Sequence, residues 1–328
     1  MRPRVIFMGT PEFAVPAMER LALSDLCDLS LVVTQPDRRA GRGKKLVSPP
    51  VKIAADAMGV TTLQTGSLRH PEVRQRIIDL SPDLIVVAAF GMILGKWILD
   101  LPVRGCVNLH ASLLPKYRGA NPIATAIAEG ERETGITLMQ MDRGLDTGAM
   151  YASSRIAIDE ADTTESLTPK LAALAGNLLE ANLGPLLAGA LPATPQGAGA
   201  SLTRMMTKDD GWIDFRRPAV EIERQVRAMW PWPRTWTLGP DSSRIQVHLV
   251  DVVVETVGAP GKIVRRNDEV LVGTGSGSII LRRIQLPGGR PVEGRALLNS
   301  GSLTEDERLG EAGGPMDLPP LVVPVSGP

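Results

Sequence analysis

Two cysteines in 328 residues, Cys27 and Cys106, are too few for a disulfide framework and fit a reducing compartment. A cytoplasmic protein is therefore expected. Histidine is limited to three copies, and no His/Cys cluster has the spacing of metal ligands, so no metal site is expected. Net charge is missing as well. The 36 Lys and Arg balance 36 Asp and Glu, so no global field draws the chain onto nucleic acid or membrane, and any RNA contact needs a local basic patch. No apolar run approaches the ~20 residues that a membrane helix needs. Arg2 and Arg4 lead straight into a short apolar strand, without the longer apolar stretch and cleavage site expected of a secretory signal. The turn after that strand lacks G-x-G-x-x-G, which removes the reason to expect a dinucleotide there.

What is present reads as two domains. Val5–Met8 is an unbroken apolar run, hence a buried strand. Gly9-Thr10-Pro11 starts a helix to about Leu23, and Leu29–Thr34 is the next strand. Strand, helix, strand at this spacing is a βαβ unit of a parallel sheet. Asp83–Ala89 is a further buried strand, followed by the apolar loop Phe90-Gly91-Met92-Ile93-Leu94, where doubly wound folds place ligands. A long Ala- and Leu-rich helix over Thr163–Leu187 closes a first domain at 1–188. Gly189–Ser201 (GALPATPQGAGAS) is a shift in composition that reads as a linker, taken to span 189–207. The cluster Trp230-Pro231-Trp232-Pro233 reads as an interdomain seam, with stacking on RNA as the alternative. From Arg244 short strands separated by glycine turns predict a small β-barrel in a second domain at 208–309. The Pro- and Gly-rich stretch 310–328 is expected to be disordered. The fold class is thus α/β, a mostly parallel sheet plus a small β-barrel domain.

The chemistry concentrates between Gly105 and Gly148. Alternation in Cys106–His110 puts Asn108 and His110 on one face of a short strand. Gly135–Gln140 is another strand, running into the glycine-punctuated loop Met141–Gly148 with two carboxylates. A lone histidine at a strand end is more often a satisfied structural group. Paired with an amide two residues away and a glycine-flanked aspartate, it belongs to a set suited to acyl transfer: a proton carrier, an orienting carboxylate and an oxyanion donor. The second concentration is Gln35–Lys52, with Arg38, Arg39, Arg42, Lys44, Lys45 and Lys52 against Asp37 alone. Gly41 and Gly43 predict a flexible loop, and its charge makes it an anion-binding candidate with phosphate the natural partner.

Asn108-x-His110-x-Ser112-Leu113-Leu114-Pro115, then Arg118-Gly119 and Asp146-Thr147-Gly148, resembles the catalytic signature of the folate-dependent formyltransferases. The pattern QPD…AGRGKKL from Gln35 to Leu46 resembles the loop that the tRNA-directed members insert at the acceptor arm. The resemblance runs from about Val5 to about Ser300. It implies a Rossmann-like domain that binds folate and an OB-like second domain that binds tRNA. It also implies transfer of a formyl group from 10-formyltetrahydrofolate to the amine of methionyl-initiator tRNA, by a monomer with no metal. Asn108 would donate to the oxyanion, His110 would share that task or move a proton, and Asp146 would hold His110. Ser112, Leu113, Leu114 and Pro115 would border the folate, with Phe90, Gly91, Met92, Ile93, Leu94, Met141 and Asp142. Arg38, Arg39, Arg42, Lys44 and Lys45 would contact tRNA. A formyltransferase acting on an amino sugar or nucleotide would share the same three central residues, and a folate deformylase would use water as acceptor, but the basic loop and the barrel argue against both. A catalytically silent RNA-binding protein would not need the three.

Overall fold

The structure is a computed structural model that describes residues 2–40, 45–296, 307–310, 313–315 and 318–325. The apolar run at the start becomes β1 (Arg4–Gly9), buried over its last five residues, as befits a strand covered on both faces. There follow α1 (Val15–Leu23), β2 (Asp28–Thr34), β3 (Arg38–Ala40), β4 (Lys45–Val47), α2 (Pro50–Ala57), β5 (Thr62–Gln64), α3 (Pro71–Asp79) and β6 (Leu84–Ala88). Then come α4 (Lys96–Leu99), β7 (Cys106–His110), β8 (Arg118–Gly119), α5 (Pro122–Ala128), β9 (Glu133–Gln140), β10 (Met150–Ala157) and α6 (Thr164–Ala188). Seven of these strands form one sheet in the order β10-β9-β7-β6-β1-β2-β5. The strands from β5 to β7 pair in parallel, and β9 and β10 add an antiparallel edge. Alternate side chains of β1 serve two cores. Val5 and Phe7 pack with α1 and α6, whereas Ile6 and Met8 pack with Ile77 of α3 and Ile98 of α4.

One expectation needs correcting here. Helix α6 has 25 residues, and an 18-residue window within it has a mean hydropathy of 1.3, so by length and composition it is apolar enough to cross a membrane. Asn177, Glu180 and Asn182 break up the apolar sequence within that window. In this fold Leu167, Leu171, Ala175, Leu179 and Leu183 form a buried stripe along it, packed into the core shared with α1. Thr163 caps its start, accepting from Ser166 N at 3.2 Å.

The second domain contains α7 (Ala219–Ala228) and six antiparallel strands, β12 (Thr235–Leu238), β13 (Arg244–Val253), β14 (Ile263–Arg266), β15 (Glu269–Gly273), β16 (Ser278–Gln285) and β17 (Pro291–Glu293). Their order is β12-β13-β16-β15-β14, with β17 on β16. Ile222 and Val226 of α7 pack on Val247, Val272, Ile279 and Ile284, which gives this domain its own core. The Trp-Pro cluster does join the domains. Trp230 Nε1 donates to Glu165 Oε2 of α6 at 2.7 Å, and Thr164 Oγ1 donates to the Ala228 carbonyl at 2.7 Å.

Two segments differ from expectation. Within the supposed linker, β11 (Ser201–Thr203) pairs in parallel with β8. Within the supposed disordered tail, β18 (Val322–Pro324) pairs antiparallel with the other edge of β11. Composition argued against structure in both, but an open strand edge offers unpaired N–H and C=O groups to any extended neighbour. Arg204 reinforces the pairing by donating to the carbonyls of Pro319 and Pro320, at 2.6 Å from Nη2 to Pro319 and 3.2 Å from Nε to Pro320. Leu321 packs on Ala124, Met206 and Met229. At the two ends of the basic stretch after β2, β3 and β4 pair antiparallel, Arg39 facing Leu46 and Arg38 facing Val47; Gly41 and Gly43, on which the flexible loop was expected, lie outside the described residues.

Candidate active site

A cavity of about 940 Å³ opens at the carboxyl ends of β6, β7 and β9, with Phe13 from the turn after β1 also in its wall. This is the crevice where the strand order reverses, between β1 and β6. Alternation in β7 sends Val107 and Leu109 into the core of α1 and α6 and leaves Asn108 and His110 on the opposite face, both lining the cavity. The loop after β9 supplies Asp146. Asn108 Nδ2 donates to Asp146 Oδ1 at 3.3 Å, and His110 Nδ1 lies 3.6 Å from Asp146 Oδ2. The Gly119 N–H donates to the same Oδ2 at 2.8 Å. The three residues predicted to act together are thus brought together around one carboxylate.

The imidazole is held on its other side. His110 Nε2 lies 2.8 Å from the Tyr117 carbonyl oxygen. A carbonyl can only accept, so Nε2 carries a hydrogen toward it, and Nδ1 is the ring nitrogen that faces Asp146. The Tyr117 side chain is anchored in turn, its Oη donating to Glu131 Oε1 at 2.6 Å. Burial, with Glu131 beside it, pushes the Tyr117 phenol well above its usual range, so it stays protonated and donates. Burial also opposes ionisation of Glu131, yet hydrogen bonds from Lys116 and Tyr117 hold that carboxyl below the usual carboxylate range.

The loop that carries Asp146 is braced from within. Thr147 Oγ1 donates to both oxygens of Asp142, at 2.7 and 2.9 Å, and Gly144 N donates to Asp142 Oδ1 at 3.0 Å. Gly148 has no room for a side chain, since a Cβ there would stand 1.9 Å from the Gln140 carbonyl oxygen. Asp146 itself has φ of 53°, a left-handed conformation that costs a non-glycine residue on the order of 1–3 kcal/mol.

Of the other predicted residues, Phe90, Gly91, Met92, Ile93, Leu94, Met141 and Asp142 all line the cavity. The Phe90 carbonyl already accepts from Thr10 Oγ1 at 3.1 Å and from Gln35 Nε2 at 2.9 Å. Ile93 is 94% exposed at the rim. Ser112, Leu113, Leu114 and Pro115, expected to border the folate, are not among the residues that line the cavity. Ser112 is fully buried, and Thr137 Oγ1 donates to its carbonyl at 2.7 Å and accepts from Leu114 N at 3.2 Å. This segment, with a cis Leu114–Pro115 bond, pins the end of β7 to β9. Arg38, Arg39 and Lys45 are exposed on the hairpin. Arg42 and Lys44 lie outside the described residues. Among the described residues no group of three His, Cys, Asp or Glu side chains could hold a metal ion.

Sequence reasoning missed a wall of the cavity. Leu202, Thr203, Arg204 and Met205 of the supposed linker line it. Arg204 is fixed there by the buried Asp210, donating from Nη1 to Oδ2 at 2.9 Å. Gln196, also in that segment, donates to the carbonyls of Asp146 and Gly148. The one sequence signal for this was negative: a linker with a polar side chain and strand-compatible residues among its glycines.

Two family profiles match the chain in order: Formyl transferase over residues 1–183, and Formyl transferase, C-terminal domain, over residues 205–302. The chain is 44% identical over 312 residues to the methionyl-tRNA formyltransferase of Geobacter sulfurreducens, which spans 94% of this chain and 98% of that one. It is 46% identical over 292 residues to the methionyl-tRNA formyltransferase of Myxococcus xanthus, covering 88% of this chain and 92% of that one. Among solved structures, an N-formyltransferase from Helicobacter canadensis in complex with folinic acid and dTDP-3-aminofucose superposes with a TM-score of 0.63 at 18% identity, over 86% of this chain and 99% of that one. At that identity the likeness speaks for the fold alone. With two profiles in order, close relatives over nearly the whole length, and Asn108, His110 and Asp146 gathered at one cavity, the chain belongs to the formyl transferase family, in its methionyl-tRNA formyltransferase branch.

Proposed function

We infer that the protein transfers the formyl group of 10-formyltetrahydrofolate to the α-amino group of methionyl-initiator tRNA, giving formylmethionyl-tRNA for translation initiation. The amine attacks the formyl carbon, a C–N bond forms, and the carbonyl electrons move onto oxygen. Collapse of this tetrahedral species breaks the bond from the formyl carbon to N10 of the folate. One proton leaves the amine and one arrives at N10. Asn108, with one N–H directed to Asp146, has its second N–H for the oxyanion. His110 takes the amine proton on Nδ1. The imidazolium so formed has a hydrogen on each nitrogen, one facing the Tyr117 carbonyl and one facing the Asp146 carboxylate.

The observation that carries this reading is the contact of Asp146 with both Asn108 and His110 at the cavity wall. Phe90, Gly91, Met92, Ile93, Leu94, Met141 and Asp142 receive the folate. Arg38, Arg39, Arg42, Lys44 and Lys45 take the phosphates of the acceptor arm. The enzyme acts as a cytoplasmic monomer, which sedimentation equilibrium at working concentration would check for the oligomeric state. The function is tested by tetrahydrofolate release with methionyl-tRNA, free methionine and an aminosugar nucleotide as parallel acceptors. Turnover with methionyl-tRNA alone supports it. Turnover with the sugar and not the tRNA would leave the catalytic set standing and remove the role of the basic hairpin.

A further inference from the structure

Gln196 stands far from the catalytic signature in sequence, in the stretch whose glycines and prolines read as a linker. Its carboxamide is fully engaged. Nε2 donates to the carbonyls of Asp146 and Gly148, each at 2.8 Å. Oε1 accepts from Nε and Nη2 of Arg118 at 3.0 and 2.8 Å. Two N–H groups and two lone pairs are all that an amide side chain has to offer. The segment is set alongside the loop by a backbone pair between Met150 and Thr194, each N–H meeting the other's carbonyl at 2.8 Å.

These bonds tie together the two elements that orient Asp146. Arg118 belongs to β8, and its neighbour Gly119 donates to the Asp146 carboxylate. Asp146 is therefore gripped at its main-chain carbonyl by Gln196 and at its side chain by Gly119. Its left-handed backbone is a conformation that a residue other than glycine keeps only when its surroundings hold it. Rotation of the 146–147 peptide toward an ordinary conformation would break the bond to Gln196 and swing the carboxylate away from Asn108 and His110.

We propose that Gln196 is a positioning residue for formyl transfer: it locks the Asp146–Gly148 backbone so that the Asp146 carboxylate meets Asn108 and His110. The inference rests on the part given above to Asp146. A side chain that merely fastened the linker would lower stability without its effect depending on Asp146. A positioning residue has an effect that vanishes when the carboxylate it positions is gone.

The test is a double-mutant cycle on turnover with Gln196→Met, which keeps the length and removes all four bonds, and Asp146→Asn. Gln196→Met alone is expected to lower kcat between about 10-fold and 10²-fold, the range of a small misplacement in an active site. KM for folate and for methionyl-tRNA should stay within about twofold, because the interaction lost is one realised in the reaction and not in binding. In the Asp146→Asn background the same substitution should cost less than about threefold. Equal losses in both backgrounds would overturn the proposal, as would an unchanged kcat for Gln196→Met beside a slow Asp146→Asn. Full turnover in Asp146→Asn would instead overturn the reading of Asp146, and this inference with it. Gln196→Glu gives a second route through the same cycle should the Met variant not fold. It keeps the partner for Arg118 and turns carboxylate oxygen toward the two carbonyls.

Discussion

The loop Met141–Gly148 and the hairpin Arg38–Val47 are both short, and each follows a strand of the central sheet, yet they are held in opposite ways. The first is bonded along its length: Asp142 by Thr147 and Gly144, Asp146 by Asn108, Gly119 and Gln196. The second is fastened at its base, where Gln35 donates to the Phe90 carbonyl and Gln64 Nε2 donates to Asp37 Oδ1 at 2.6 Å. Beyond the base its described residues are exposed, including Leu46 at 68% and Val47 at 49%. The difference follows from what each has to meet. A group acting on a reacting atom must stand within a few tenths of an ångström of its place before the substrate arrives. A cation that neutralises a phosphate works over a range of positions, because Coulomb attraction falls only as the inverse of distance.

The sharpest way to break this comparison is to damage the braced side. Asn108→Ala and His110→Ala should each lower kcat by ~10²–10³, the usual cost of one lost oxyanion donor or its partner. Steady-state tetrahydrofolate release measures it, and a loss under threefold would mean that bracing is not where the chemistry lies. Next in size is the brace of the wall that carries Arg204. Asp210→Ala leaves the Arg204 guanidinium half-buried without its carboxylate and should destabilise the fold by about 3 kcal/mol in urea unfolding.

On the hairpin the expected effects are smaller and of another kind. Arg39→Ala should leave thermal stability within about 0.5 kcal/mol of the parent. It should raise the KM for methionyl-tRNA and make the plot of log affinity against log salt shallower by about 1. An unchanged salt slope would show that this cation meets no phosphate. The smallest effect comes from neither region. Burial, with the Arg234 and Arg283 guanidinium groups near it, pushes the His248 imidazole down from 6.5 to about 4. Between those values the unfolded chain binds a proton that the folded one refuses. The contribution of neutral His248 is therefore complete above pH 6.5 and is lost as pH falls toward 4. His248→Gln should flatten stability against pH in that window and leave the salt slope of tRNA binding as it was, which thermal melts across the window and a salt titration would check.

Much of this was legible in the chain. Val5–Met8 could only be a doubly covered strand, and Asn108-x-His110 could only share a face if Cys106–His110 was extended. Helix α6 begins and ends within a residue of its expected limits, and the strands from Arg244 onward follow one another across turns as expected. What was hidden has a common cause. Gln196 meets Asp146 across 50 positions, and the β11–β18 pair spans more than a hundred. Such contacts are made by segments whose own composition argues against regular structure, so no local pattern announces them. Ser112–Pro115 misled in the other direction. Its place in the signature suggested a ligand-facing surface, whereas its hydrogen bonds to Thr137 give it to the frame that fixes the end of β7.

The pairing of β18 with β11 has a consequence for how the protein comes into being. A nascent chain emerges from its amino end, and domains fold largely as they appear. The catalytic signature has left the ribosome by Gly148, and the central sheet can close once α6 follows. The strand that backs Leu202 and Thr203, and the carbonyls of Pro319 and Pro320 that hold Arg204, are translated far later. A chain interrupted anywhere in the second domain would hold every residue that lines the cavity but lack the strand that backs Leu202 and Thr203. The outer support of that wall is thus added long after the residues it supports.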